Sequence, residues 1–446
     1  MHRMRRVEPG WWLVCGAALV WAAATASAQR RDAFVESRDH PAILYSTGEV
    51  DDAVARLNAR LRDGAARLAF DPVSGYLRAT LDALAVPVES QTLVFSQTSF
   101  QADRINIHNP RAVYFNDTVA VGWVRGGSLL EVAAQDARQG VIFYELVQEP
   151  TGVPQFRRNN VCLGCHLSWD TRGVPGLMVT SMYPLPDDPN AYANGFTTVQ
   201  GSPLTQRWGG WWVTGNHGGA SHMGNVPVMP MDKGKGIPNP TRVLPSVDGL
   251  FDLKGYPTPY SDVVALLVLA HQTQMTNLIT RLGWEARLAA QSRTPDATAR
   301  VQEAARDAVD YLLFVDEAPL LGSVSGTAGF AERFAALGPR DGRGRSLREF
   351  DLRRRLFKYP CSYLVYGDAF AALPAMARDA VYARMWAVLS GRETDRRYRV
   401  LSPDDRRAVV EILRETKSDL PAYFQPLPPS PVAPARPAAP RRRTGA

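Results

Sequence analysis

The sequence predicts an α+β protein, with an N-terminal antiparallel β unit ahead of a mainly α-helical region. Residues 91–147 contain short runs of β-branched and aromatic residues separated by turn residues, the pattern of consecutive strands. After Asp262 the apolar residues recur every three or four positions, as on amphipathic helices. Residues 167–260, between these two regions, form a long insertion rich in Gly, Pro and Trp.

The individual elements follow from the same periodicities. A first helix is predicted from one apolar stripe, which consists of Val50, Val54, Leu57, Leu61, Ala65 and Leu68. Strands are expected at residues 93–95, 112–115, 119–124 and 141–144. Helices are expected near residues 262–283, 296–315, 346–357, 375–390 and 403–416.

The N-terminus has the three parts of a signal peptide. Arg3, Arg5 and Arg6 precede an apolar run from Trp11 to Ala24, and Ala26-Ser27-Ala28 forms a small-x-small cleavage site. The run is short for a membrane span, which needs about 20 apolar residues. We expect cleavage after Ala28 and export from the cytoplasm, with an uncleaved membrane anchor as the alternative.

The charge of the chain is modest and the C-terminus carries much of its excess. The formal net charge is +7, and residues 425–446 are rich in Pro, Ala and Arg, a composition that predicts an extended, disordered tail. No basic stripe interleaved with aromatic residues is present, so the sequence does not predict nucleic-acid binding. The basic tail is compatible with an anionic membrane surface or an acidic partner protein.

Residues Cys162-Leu163-Gly164-Cys165-His166 match the C-x-x-C-H pattern of covalent c-type haem attachment. Two thiols one helical turn apart can each add across a vinyl group of the haem, and the neighbouring imidazole then binds the iron. The expected cofactor is one covalently attached haem c. Cys162 and Cys165 would hold it, with His166 as the proximal iron ligand.

Two other uses of this cysteine pair stay open. A zinc site needs two further ligands, and the sequence has no second Cys-x-x-Cys and no His-x-x-x-His. A thioredoxin-like redox pair would need a strand before the motif, which residues 157–160 do not resemble. Once Cys15 leaves with the signal peptide, Cys361 is the one cysteine outside the motif, so the mature chain is not a disulfide scaffold.

The motif and a helix far downstream resemble bacterial c-type cytochromes. In that family a helix often introduced by Leu-Ser/Thr-x-x-Glu/Asp packs across the haem-motif helix, and Leu401-Ser402-Pro403-Asp404-Asp405 begins a similar sequence here. The chain also looks distantly like the periplasmic dihaem cytochrome c peroxidase group, but it lacks that group's second C-x-x-C-H motif. The resemblance implies a cytochrome c-like haem domain in a large periplasmic protein with one haem.

These features divide the chain into four regions. They are a signal peptide at residues 1–28, an N-terminal helix plus β-rich unit at 29–150, a cytochrome c-like haem-binding region with the insertion at 151–424, and a disordered tail at 425–446.

The ligand opposite His166 decides the chemistry, because a haem with two protein ligands chiefly carries electrons, whereas an open face binds oxygen or peroxide. His271 lies in the apolar stripe of a predicted helix, where a buried imidazole needs a partner. It is either a distal ligand or a core histidine bonded to a polar neighbour. His217, His222 and Met223 lie in the insertion and are distal candidates, unless this segment is a compact surface loop around a Trp cluster.

The leading hypothesis is a periplasmic monohaem c-type cytochrome that passes single electrons to a redox partner protein. Met178 and Met182 would then be further distal candidates, although methionine is equally suited to filling a core. The alternative is a c-haem enzyme, a peroxidase or oxygenase, with an open or displaceable distal face. A haem-based sensor is a third class, for which the sequence contains no recognisable signalling module.

Overall fold

The computed structural model describes residues 38–150, 152–182, 195–226 and 243–428. The predicted signal peptide and most of the predicted tail lie outside these residues. Within them the chain has an α+β architecture, as the sequence predicted, with one large antiparallel sheet and a set of mainly C-terminal helices.

The strands are labelled in chain order. They are β1 (Thr92–Val94), β2 (Arg111–Phe115), β3 (Val119–Trp123), β4 (Leu129–Asp136), β5 (Gly140–Val147), β6 (Arg157–Arg158), β7 (Thr180–Ser181), β8 (Phe196–Thr197), β9 (Trp211–Trp212), β10 (Asn216–His217) and β11 (Val324–Ser325). Seven of them form one antiparallel sheet in the order β6-β5-β4-β3-β2-β1-β9. The other four form two small ribbons, β7 with β8 and β10 with β11.

The helices are likewise labelled in chain order. They are α1 (Ala53–Arg62), α2 (Leu77–Ala83), α3 (Leu163–His166), α4 (Val263–Ser292), α5 (Pro295–Leu312), α6 (Phe330–Ala336), α7 (Asp368–Ala371), α8 (Ala375–Leu389) and α9 (Pro403–Thr416). The four predicted strands and the helices predicted at 262–283, 296–315, 375–390 and 403–416 are confirmed.

The helix predicted at residues 346–357 is wrong. Phe350 and Phe357 pair with each other in a short antiparallel bridge. Between them the carboxylate of Asp351 accepts hydrogen bonds from the backbone N–H groups of Arg353 and Arg354, and Leu352 has a φ of 53°. A side chain that bonds the backbone two and three residues ahead stabilises a turn at the expense of a helix.

The sheet takes part in two hydrophobic cores. On one face, alternate strand residues face α1 and α2, among them Leu93, Tyr114 and Ile142. On the opposite face, Val94 and Phe115 belong to the core built around α4, whereas Phe143 belongs to the core that contains α1 and α2. Strands β6 and β9 come from the region after residue 150, so the sheet crosses the domain boundary expected there.

Helix α4 is the central element of the larger core. The carboxylate of Asp262 caps its N-terminus by accepting from the N–H groups of Val264 and Ala265, and also accepts from those of Thr327 and Ala328. Among the described residues, α4 is long and apolar enough to cross a bilayer, but 94% of its most apolar window is buried inside the protein. The helix therefore forms the centre of a protein core.

The helix α9 does not take the place that the cytochrome resemblance gave it. Its buried side chains belong to the core around α4, whereas Leu163 of the C-x-x-C-H motif belongs to the core that contains α1 and α2. On its outer face, Glu411 forms ion pairs with Arg343 and Arg345.

Candidate functional site

The Cys162–His166 motif is a single helical turn on the surface of the sheet region. The side chain of Asn159 accepts a hydrogen bond from the N–H of Val161 (2.9 Å) and begins a 3₁₀ turn that leads into α3. Cys162 is half-buried and Cys165 is exposed, and both thiols are free. The turn thus presents two unbonded thiols beside one imidazole.

His166 is oriented by the backbone of Gly176. Its Nδ1 lies 2.9 Å from the carbonyl oxygen of Gly176, and the N–H of Gly176 donates to the carbonyl of His166 at 3.0 Å. A carbonyl only accepts, so Nδ1 carries the proton and the lone pair is on Nε2. Nε2 has no hydrogen-bond partner among the described residues. Burial lowers the pKa of His166, which keeps the ring neutral.

The position of Gly176 is fixed by helix α4. The side chain of Asn277 accepts from the N–H of Leu177 (3.1 Å) and donates to its carbonyl oxygen (2.7 Å). A Cβ atom at Gly176 would lie 2.1 Å from Oδ1 of Asn277, so a side chain there would displace Asn277. This pairing was not predicted, although the Pro175-Gly176 dipeptide ten residues after His166 is a turn signal in the sequence.

The pKa of Cys162 is raised to about 11, mainly because the thiol is half-buried and further because Glu131 and Glu145 lie near it. Catalytic thiols of redox C-x-x-C motifs have lowered pKa values, so this environment is opposite to that of a reactive dithiol. Cys361 is fully buried in the core around α4, and burial raises the pKa of its thiol well above the ordinary value.

His271 is a core histidine with both ring nitrogens bonded. Nδ1 lies 2.9 Å from Oε1 of Gln200, and Nε2 lies 2.8 Å from the hydroxyl of Ser362. Because the amide oxygen accepts, Nδ1 donates and Nε2 accepts from Ser362. The ring stacks between Tyr311 and Phe314 at centroid distances of 5.3 and 4.5 Å. With its Nε2 lone pair engaged, His271 has no free nitrogen for iron, and the polar-neighbour interpretation describes it.

His217 and His222 are brought together with each other. Their ring centroids are 4.7 Å apart, and the indole of Trp208 lies 5.3 Å from the ring of His222. Both histidines are at most 1% exposed. Nδ1 of His222 accepts from the N–H of Gly224, while Nε2 of His222 and both nitrogens of His217 have no partner among the described residues.

This histidine pair lies far from His166. The His166 ring contacts Phe143 of β5, at 4.8 Å, whereas His217 and His222 follow the edge strand β9. Five strand spacings separate β5 from β9, about 24 Å at the usual 4.8 Å spacing. Two ligands on opposite faces of one iron lie only about 4 Å apart, since each binds at about 2 Å. The arrangement therefore does not place either histidine opposite His166.

The methionines take three different positions. The sulfur of Met223 lies 3.6 Å from the hydroxyl of Ser181, in β7. Met182 is buried next to Gly209, whose carbonyl accepts its N–H. Met178 is half-buried and lies two residues after Gly176, so it is the candidate nearest to His166 along this segment.

One charged pair near the motif was not anticipated. Arg111 of β2 and Glu131 of β4 form an ion pair of 2.6 Å on the same side of the sheet as Phe143. The sequence alone does not give the register of the strands, so it does not indicate that these two residues meet.

Comparison with known proteins adds no assignment, since no family model, no curated protein and no solved structure matches this chain. Residues 38–150, 152–182, 195–226 and 243–428 contain no cluster of three or more His, Cys, Asp or Glu side chains suited to a metal ion.

Proposed function

We propose that this protein is an exported monohaem c-type cytochrome that transfers single electrons. One haem c would be attached through Cys162 and Cys165, with His166 as the proximal iron ligand. The observation that carries the proposal is the hydrogen bond from Nδ1 of His166 to the carbonyl of Gly176 (2.9 Å). It leaves a neutral Nε2 with a free lone pair beside two free thiols, which is the arrangement that an iron-binding histidine requires.

The surroundings of the motif fit a large flat apolar group. Val161 and Trp169, which flank the motif in sequence, are 69% and 66% exposed, and Phe196 is also exposed. The hydroxyl of Thr197 donates to the carboxylate of Asp170 at 2.9 Å, which holds β8 next to the loop that carries Trp169. Exposed apolar side chains on adjacent segments are compatible with a binding surface. The haem, when bound, supplies an iron that accepts and releases one electron.

The remaining residues have distinct tasks in this proposal. The Gly176 carbonyl fixes the tautomer and orientation of His166, and Asn277 holds Gly176 in place. Neither alternative use of the cysteines has comparable support. The described residues contain no group of three or more ligand side chains that could hold a zinc ion. The raised pKa of Cys162 disfavours a reactive dithiol.

The proposed location is the periplasm, with the signal peptide cleaved after Ala28, because covalent haem attachment of this type takes place outside the cytoplasm. A redox partner protein is part of the proposal, and the basic tail is a candidate for contact with an anionic membrane surface. A cytochrome c-like arrangement around the haem also remains a proposal.

A second function is favoured by the positions of the histidines. His271 has both nitrogens bonded, and His217 and His222 lie at the other end of the sheet. Met223 lies beside β9 with His222, since its N–H donates to the carbonyl of Arg207. If Met178 also does not bind the iron, the distal face is open, and the protein is a c-haem enzyme of the peroxidase or oxygenase kind.

The test is expression of the full chain together with a c-type haem maturation system. We expect one covalent haem per chain by the pyridine haemochrome assay in the wild type and in C361S, and none in the C162S/C165S variant. Absence of covalent haem in the wild type would overturn the proposal.

Visible spectra then separate the two functions. A low-spin spectrum that cyanide and carbon monoxide leave unchanged is expected of the electron carrier. Rapid binding of these ligands to a high-spin haem would instead assign the enzyme. In a low-spin protein, loss of the low-spin spectrum in M178A identifies Met178 as the distal ligand, and M223A is the matched control.

A further inference from the structure

An ion pair is built into the sheet beside the C-x-x-C-H motif. Nη2 of Arg111 lies 2.6 Å from Oε2 of Glu131, and the two side chains are 22% and 17% exposed. The hydroxyl of Ser99 donates to the other carboxylate oxygen of Glu131 at 2.7 Å. The pair is therefore shielded from solvent, and its electrostatic effect is stronger than that of a surface pair.

Strand β3 makes room for this pair. Gly122 lies between the two strands that carry the charges and is the register partner of Glu131. A Cβ atom at Gly122 would lie 2.4 Å from Nη2 of Arg111. A side chain at this position would displace the guanidinium, so the glycine allows Arg111 to cross β3 and reach Glu131.

The strand register places the pair next to His166. In the β4–β5 ladder Ala133 pairs with Phe143 and Glu131 pairs with Glu145, so Glu131 and Phe143 are diagonal neighbours on one face. The ring of Phe143 lies 4.8 Å from that of His166. Glu145 is the register partner of Glu131 on the same face, and its carboxylate accepts a hydrogen bond from the side chain of Asn159 at 2.8 Å.

The motif responds to both charges of the pair. Beyond the effect of burial, Glu131 raises and Arg111 lowers the pKa of Cys162. The two charges therefore act on the same thiol with opposite signs, and the effect of Glu131 is the larger of the two.

We propose that Arg111 and Glu131 are positioning residues that set the electrostatic potential at Cys162 and His166, and through it the reduction potential of the group that these residues hold. The second half of this inference rests on the proposed function. Reduction adds one negative charge at the iron, so an unpaired Arg111 favours the reduced state and an unpaired Glu131 favours the oxidised state.

The first experiment measures the midpoint potential of the haem-loaded protein. We expect a higher potential in E131Q, a lower potential in R111Q, and a value between them in R111Q/E131Q. The variant R111K keeps the charge and should stay near the wild type. The control is E285Q, which breaks the ion pair between Arg300 and Glu285 (3.2 Å) on helices α4 and α5. Shifts of the same sign in E131Q and R111Q, or a shift in E285Q as large as theirs, would overturn the inference.

The second experiment needs no haem. In the haem-free C165S chain, Cys162 is the accessible thiol of the described region, since Cys361 is buried. The rate of Cys162 alkylation against pH should shift to lower pH in E131Q and to higher pH in R111Q, with E285Q unchanged. If these shifts occur but no haem is ever attached, the proposed function fails while the electrostatic role stands. If haem is attached and neither potential nor alkylation responds, this inference fails alone.

Discussion

At the scale of single residues, the histidines of this chain differ in what their ring nitrogens contact. His166 has one nitrogen fixed by the Gly176 carbonyl and one free, whereas both nitrogens of His271 are bonded. A ring with a free, oriented lone pair can bind a metal, and a ring with two bonded nitrogens stabilises a core. The same residue type therefore has a site role at one position and a packing role at the other.

The role of His271 gives a stability prediction. The substitution S362A removes the hydroxyl that bonds Nε2 of His271 and accepts from the N–H of Leu364. We expect a loss of about 1–3 kcal/mol in the free energy of unfolding, because a buried nitrogen is left without a partner. Urea unfolding measures this. The control S390A removes a buried hydroxyl that has no partner among the described residues and should change stability by less than about 0.5 kcal/mol. Equal effects of the two substitutions would contradict the assignment.

How much of the site the sequence could predict depends on the range of the interaction. The C-x-x-C-H pattern is local, so Cys162, Cys165 and His166 could be predicted directly from the sequence as candidate residues. The partner of His271 at Ser362 is 91 residues away, and that of Glu131 is in a different strand. Such pairs depend on strand register and helix packing, which hydrophobic periodicity does not specify.

At the scale of elements, the segment that carries His217 and His222 is shaped by two successive glycines in left-handed conformation. Gly218 and Gly219 have φ values of 71° and 74°. A Cβ atom at Gly218 would lie 2.7 Å from the backbone of Gly322, whereas at Gly219 it would meet nothing within 4 Å. The close approach of two backbones thus holds this loop beside the β10–β11 ribbon.

The two glycines form a matched pair for mutagenesis. G219A should cost about 1–2 kcal/mol, because it adds only the strain of a left-handed alanine. G218A should cost about 1–3 kcal/mol more, since its methyl group also collides with Gly322. Thermal and urea unfolding of the two variants test this order, and an equal loss in both would show that the backbone contact contributes nothing.

The elements also show where the sequence was informative and where it was not. Long periodic segments such as α4 and α5 were predicted well, because an apolar stripe buried against a core is visible in one dimension. The short strands β6 and β9 were missed, since each has two residues and is defined by pairing with a distant strand. The failed helix at 346–357 had suitable apolar spacing, but Asp351 bonds the backbone into a turn.

At the scale of the whole molecule, buried histidines make stability depend on pH. Burial, and secondarily the neighbouring His217, lowers the pKa of His222 to about 4, against 6.5 for an ordinary histidine. Below pH 6.5 the unfolded chain therefore binds a proton that the folded chain excludes. This contribution to stability is complete above pH 6.5 and is lost as the pH falls toward 4.

We expect the wild type to lose unfolding free energy faster than H222N between pH 6.5 and pH 4.5. The difference should approach about 1.4 kcal/mol per pH unit, the value for one proton. Urea titrations at several pH values, in the presence of a metal chelator, provide the measurement. H108N, at an exposed histidine, is the control for removal of one imidazole and should change the unfolding free energy by less than about 0.5 kcal/mol. Parallel curves for the wild type and H222N would rule out the proton linkage.

The complete burial of Cys361 bears on how the chain matures. In the folded molecule this thiol is buried in the core, and among the described residues the accessible cysteines are those of the motif. If the chain is exported and cleaved as proposed, its three thiols are equally accessible before folding, and an oxidising compartment could join Cys361 to either of the others. Early folding of the core around α4 would therefore bury Cys361 before it can form a disulfide, and the motif thiols would stay reduced.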